Sequence, residues 1–235
     1  MSGRLTAYDV ADHYDEEYFA DLSARYRRRN RFARRRIANV LSLLPDVQSR
    51  VLLDLGCGMG TFTLEAARRG ARAIGLDMMP AALRAATRVA AQEQVAGARF
   101  ALGDVAALPA RSQSADVILA ADLTEHLDDQ TFRAMLRETK RVLKPGGYLV
   151  IYTPESTHVF ERLRHAGVMA PDPSHIGVRS GRELAAEVQR AGFTVERLRY
   201  LPSHLPGWNL LERAFARWLP LLRRRAGVVA RRPSS

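Results

Sequence analysis

The pattern of apolar and polar positions changes character near residue 50. Before it, over residues 8–44, apolar side chains recur at helical spacing. Tyr14, Tyr18, Phe19, Leu22 and Tyr26 form one stripe ahead of an arginine-rich stretch, and Pro45 is expected to end the helical region. After it, short apolar runs at 51–55, 73–77, 100–105, 116–122 and 148–152 alternate with helix-spaced segments. Such alternation predicts a parallel sheet covered by helices on both faces. Asp128 is placed to cap a helix carrying Phe132, Met135, Leu136, Thr139, Val142 and Leu143 on one side, closed by Pro145. Residues 181–191 read as a helix stopped by Gly192, residues 194–200 as a sixth strand and residues 227–231 as a short seventh.

One segment stands apart. Residues 208–225 carry Trp208, Leu211, Phe215, Trp218, Leu219 and Leu222 at helical spacing with arginines interleaved, and Pro220 should kink or split the helix. A basic, tryptophan-bearing amphipathic helix suits peripheral contact with a membrane, or cover over an apolar ligand. It equally suits packing on the domain or across a homodimer.

The first strand runs into Asp54-Leu55-Gly56-Cys57-Gly58-Met59-Gly60. Glycines at this spacing let backbone N–H groups approach a ligand closely. The spacing is G-x-G-x-G with an acid two positions earlier, not the G-x-G-x-x-G of dinucleotide sites, which argues against a pyrophosphate ligand. The second strand ends in Asp77, where a carboxylate can accept both hydroxyls of a ribose. Asp104 closes the third run and Asp122 the fourth, and Leu143-Lys144-Pro145-Gly146-Gly147 precedes the fifth.

These five motifs, in order, resemble the class I S-adenosylmethionine-dependent methyltransferases, and the likeness is to their small-molecule, type 11-like members. The resemblance implies a Rossmann-like α/β fold, a seven-stranded, mostly parallel sheet with helices on both faces and an antiparallel last strand. It implies S-adenosyl-L-methionine as cofactor, with Asp54, Gly56, Gly58, Gly60, Asp77, Met78, Asp104, Val105 and Asp122 in its site. Asp77 would take the ribose, Asp104 would accept from the adenine amino group, and the N–H of Val105 would meet a ring nitrogen. It divides one methyltransferase domain, residues 1–235, into an N-terminal helical lid (1–45), a cofactor-binding core (46–153) and an acceptor-side region (154–235).

Asp122-Leu123-Thr124-Glu125-His126 matches the E-H pair of many small-molecule members. His126 is a candidate general base, since imidazole titrates near neutrality; in many relatives the same histidine holds the loop. His175, in a proline-stiffened loop, is the second candidate, and His158 and His204 are read as ordinary surface histidines. Asp122, Glu125 and His126 would share one face of a helical turn, as a divalent-metal site requires. The quinone O-methyltransferases carry E-x-x-E-H there, and this chain departs from it with Asp at the first position; no metal is assigned.

The 235 residues and 47% apolar content suit one domain with a full core. No apolar run is long enough to span a bilayer and the N-terminus lacks a signal-peptide pattern, so a cytoplasmic protein is expected. Cys57, the sole cysteine, is read as a packing residue. The net charge of +11 is carried almost wholly by arginine, eight of them between Arg25 and Arg36. A basic surface would suit RNA or protein methylation, but the fourth strand lacks the N/D-P-P-Y/F signature of amino-group nucleic-acid methylases and no RNA-binding module is evident. Methyl transfer to a hydroxyl oxygen of a small-molecule or lipid-like acceptor in biosynthesis is therefore expected. RNA or protein methylation through the basic surface is one alternative, and a noncatalytic cofactor-binding subunit is another.

Overall fold

The structure is a computed structural model that describes residues 16–170, 173–202, 208–215 and 218–234. Its centre is a seven-stranded sheet: β1 (Val51–Leu55), β2 (Arg72–Asp77), β3 (Ala98–Leu102), β4 (Ala115–Ala121), β5 (Leu143–Pro154), β6 (Thr194–Leu201) and β7 (Arg225–Arg231). Their spatial order is β3-β2-β1-β4-β5-β7-β6. The ladder is parallel from β3 through β5, and β7 runs antiparallel to both β5 and β6, as expected for the last strand.

Alternation along the strands sends neighbouring residues into two cores, because successive side chains point to opposite faces. Leu52, Ala73, Val117, Leu119, Val150 and Val229 face one core, which is completed by α1 (Glu16–Arg28), α2 (Arg31–Leu41), α3 (Thr61–Ala67) and α4 (Pro80–Gln92). Leu53, Leu76, Ile118, Ala120, Ile151 and Val228 face the other, under α5 (Asp129–Val142) and α7 (Gly181–Arg190). A sheet covered on both faces explains why its strands read as unbroken apolar runs. Each fully buried leucine or isoleucine here contributes about 1.5–3 kcal/mol.

Several boundaries differ from the sequence reading. The N-terminal helical region is two helices, broken where Arg29 takes a positive φ and Asn30 caps α2 by accepting from the N–H of Ala33; it ends at Leu41, ahead of Pro45. Asp128 does cap α5, through Gln130 and Thr131, but that helix stops at Val142 and Leu143 already pairs with Ala115 in the sheet. The amphipathic segment 208–225 is not one helix. Within it α8 spans Trp208–Phe215, a 3₁₀ turn spans Pro220–Leu222, and Arg225 opens β7. Proline at the first position of that turn supplies no N–H to extend α8, which is the physical reason. The remaining helix is α6 (Val159–His165). Tyr14 and His204 lie outside the described residues.

Tyr26 ties α1 to α3. Its hydroxyl donates to Glu65, which Arg29 and Arg68 also grip, and burial pushes the phenol up to about 12. Among the described residues, no helix is long and apolar enough to cross a membrane.

Candidate active site

At the carboxyl edge of the sheet the strand ends line a cavity of about 440 Å³. Crevices outside the carboxyl ends of parallel strands are where open α/β sheets bind ligands.

The glycine turn forms one wall. Gly56 has φ +62, and a Cβ there would lie 2.7 Å from Leu123 Cδ1, so this glycine lets the loop after β4 pack against the turn. Gly58 also has positive φ, and its N–H donates to Asp77 Oδ2 at 2.8 Å while Met79 N–H donates to Oδ1 at 2.9 Å. Asp77 thus holds the turn and still presents two oxygens with remaining acceptor capacity. Burial raises its pKa, and these N–H donors oppose the rise. Gly56, Gly58, Asp77, Met78, Asp104, Val105 and Asp122 all line the cavity.

Two cofactor candidates sit differently. Asp54 is 1% exposed beneath the turn, absent from the cavity wall, and accepts from Thr63 Oγ1 at 2.7 Å. Burial pushes it up to about 7. Gly60 caps α3 at φ +83 and faces Phe100, whose ring would meet a Cβ at 2.8 Å. Cys57 is buried, and burial with Asp54 and Asp77 nearby drives its thiol well up, as a packing role implies.

Asp122 follows β4 with φ +53, a left-handed conformation that aspartate tolerates better than most residues. Its N–H donates to Tyr152 O, and its two oxygens each accept from a guanidinium at 2.6 Å, Arg36 Nε from α2 and Arg225 Nη1 from β7. Burial alone would raise this acid, but Arg225 and Arg36 hold it below the usual carboxylate range. Asp122 therefore does not share a helical face with Glu125 and His126, contrary to the spacing argument. Only Thr124–His126 form a 3₁₀ turn, and the Asp122 carboxylate is turned to the arginines.

His126 and His175 are brought together, with ring centroids 5.2 Å apart and edge-on. His126 Nδ1 lies 2.9 Å from the carbonyl oxygen of Ser174. A carbonyl only accepts, so Nδ1 carries the proton and Nε2 is the ring's acceptor, the tautomer a base requires. Glu125 is buried beside them, accepts from Thr153 Oγ1, and is raised to about 7 by burial and by Asp122. Donor atoms of Glu125, His126 and His175 lie within 4.8 Å of one another. One carboxylate with two imidazoles suits a transition-metal ion better than Mg²⁺.

His158 is no surface histidine. It is 1% exposed, caps α6 by accepting from Phe160 N–H, and is lowered to about 4 by burial and then by Arg224 and Arg225. The contributions of Arg36 and Arg225 were missed in the sequence. Arg36 stood out only as one of a run of arginines, and nothing local ties either residue to Asp122.

A family model described as a methyltransferase domain matches residues 25–198. A ubiquinone biosynthesis O-methyltransferase of Acinetobacter baylyi is 35% identical over 104 residues, covering 43% of this chain and 42% of that one. A biotin biosynthesis bifunctional protein of Cellvibrio japonicus is 33% identical over 157 residues, covering 66% of this chain and 30% of that protein. The chain thus spans less than half the length of either relative. Among solved structures, a phosphoethanolamine N-methyltransferase of Haemonchus contortus in complex with S-adenosyl-L-methionine superposes with TM-score 0.72 at 15% identity, over 98% of this chain and 61% of that one. At that identity the likeness is one of fold.

Proposed function

The chain belongs to the methyltransferase-domain family of S-adenosylmethionine-dependent enzymes, and from that premise we propose that it moves the donor's methyl group to a hydroxyl oxygen of a small-molecule or lipid-like acceptor. The observation that carries this reading is a single cavity with the glycine turn, Asp77 and Asp104 on one part of its wall and a histidine whose Nδ1 is held by a backbone carbonyl on another. At the donor end, Gly56 and Gly58 meet the methionine part, Asp77 the ribose hydroxyls, and Asp104 and Val105 the adenine. Asp54 and Gly60 support the turn from behind. Methyl transfer from a sulfonium needs the acceptor lone pair in line with the methyl–sulfur bond, so holding the acceptor supplies much of the rate. A hydroxyl also needs its proton removed, and His126 Nε2 does so with His175 beside it. Oxygen as the target is supported by the 30–35% identical relatives named for O-methylation in ubiquinone biosynthesis.

In this reading α1 and α2 are a lid, since Tyr18, Phe19, Leu22 and Phe32 from them line the cavity, and residues after 154 form the acceptor side. Exposed Leu210, Leu211, Phe215, Trp218, Leu219 and Leu221 favour peripheral contact of that side with a membrane. Trp218→Ala is expected to reduce sedimentation with anionic vesicles at low salt; wild-type protein that stays in the supernatant would remove the membrane part. A homodimer built on the same residues is the competing use.

The function is tested by incubating the protein with methyl-labelled donor and a cell extract, then separating small-molecule, lipid, RNA and protein fractions. Label is expected in the first two. Label in RNA or protein would overturn the acceptor class, and no label despite donor binding would point to a noncatalytic subunit. Turnover that survives a chelator excludes a required metal at Glu125, His126 and His175.

A further inference from the structure

We propose that the arginine-lined end of the cavity binds an anionic group, a carboxylate or phosphate, carried by the methyl acceptor. This rests on the methyltransferase reading above and narrows its substrate class.

Charge changes sign along the carboxyl edge of the sheet. Asp104 follows β3 and Asp77 ends β2, whereas Arg225 opens β7 near the opposite edge. Arg36 and Arg225 line both the main cavity and a small recess of about 20 Å³ beside it, which Arg35 and Arg224 also line. Among the described residues no acid lines the recess, whose walls are Arg35, Arg36, Arg224 and Arg225 with Phe32, Asn39, Tyr152 and Pro202. Asp122 takes one bond from Arg36 and one from Arg225, and Glu161 and Glu212 act on Arg224, while none of these acids lines the recess.

Arg35 Nε is buried and has no hydrogen-bond partner among the described residues. Arg224 is held below the usual arginine range by burial and then by Arg225, with Glu212 and Glu161 opposing. Crowding like charges around a partly desolvated recess that no described acid lines favours an anion there, and buried polar atoms are ordinarily bonded. A ligand anion meets both needs. Guanidinium groups suit it because their planar fork matches carboxylate and phosphate oxygens two at a time. A recess this size admits about one water-sized group, so it receives an anionic oxygen while the rest of the acceptor lies in the main cavity.

A carboxylate could also come from the donor's own methionine part, and the experiment separates the two sources. Inorganic phosphate is titrated calorimetrically into the protein alone and into protein saturated with S-adenosylhomocysteine. Saturable phosphate binding of similar strength in both is expected. Arg35→Gln combined with Arg224→Gln should weaken it about tenfold or more without changing S-adenosylhomocysteine affinity, while Arg137→Gln on the exposed face of α5 should leave it unchanged. If the double variant does not fold, Arg35→Lys with Arg224→Lys keeps the charges and loses the fork, and several-fold weaker binding is expected. Phosphate displaced by S-adenosylhomocysteine would assign the cluster to the donor and overturn the proposal. So would an absence of saturable binding, or equal losses in the Arg137 control. Failure to bind S-adenosylhomocysteine at all would instead refute the methyltransferase reading.

Discussion

Asp77→Ala is expected to weaken S-adenosylmethionine binding by between tenfold and about a hundredfold. In the proposed site the carboxylate at the end of β2 accepts from both ribose hydroxyls, and a hydrogen bond to a charged group contributes about 1.5–3 kcal/mol. The substitution also frees the N–H groups of Gly58 and Met79, which now hold the glycine turn in shape. Both losses act on the same ligand. Because burial raises Asp77, donor affinity should fall on acidification at a higher pH than an ordinary aspartate would give, since the protonated acid loses its charge as an acceptor. Calorimetric titration of the variant checks this, with thermal unfolding as a control for the fold. Unchanged donor affinity would remove Asp77 from the site.

His126→Ala should lower turnover by roughly a hundredfold while donor affinity stays the same, the range expected when a positioned base is lost. The two roles open to this histidine, base or loop brace, are separated by a second variant. In His126→Asn the side-chain NH₂ can still donate to the Ser174 carbonyl, keeping the brace now made at 2.9 Å, but no basic nitrogen remains. A base predicts equal losses in both variants. A brace predicts that Asn restores most of the turnover. Should both variants keep full turnover with chemistry rate-limiting, His175→Ala is the next test, and full turnover there as well would leave proximity to carry the reaction.

Much of the glycine-turn end of the cavity was legible because it is local. Gly56 and Gly58 follow a strand directly and need backbone freedom that few residues have, and Asp77 and Asp104 each sit where a strand stops. The strands of the parallel sheet were legible for a related reason. A strand buried on both faces must be apolar throughout, and that pattern survives in one dimension. Asp54 shows the limit of this logic, since an acid at the right spacing turned out to lie under the turn, bonded to Thr63, and not on the cavity wall.

The sequence by itself determined the sheet, the glycine turn, the family and the acids at the strand ends, all of which depend on residues near one another in the chain. The arginine and histidine end of the cavity was decided only by the tertiary structure. Arg36 and Arg225 reach Asp122 across 86 and 103 residues, and His175 meets His126 from a separate loop. Charges so far apart in sequence carry no periodicity that announces a meeting; their pairing follows from where α2 and β7 pack against the end of β4. The same packing paired Asp122 with the arginines and gathered Glu125 and His126 with His175 in place of the Asp122 cluster suggested by spacing. A carboxylate with two guanidiniums in reach is more stable paired with them than aimed at a neighbour of like charge.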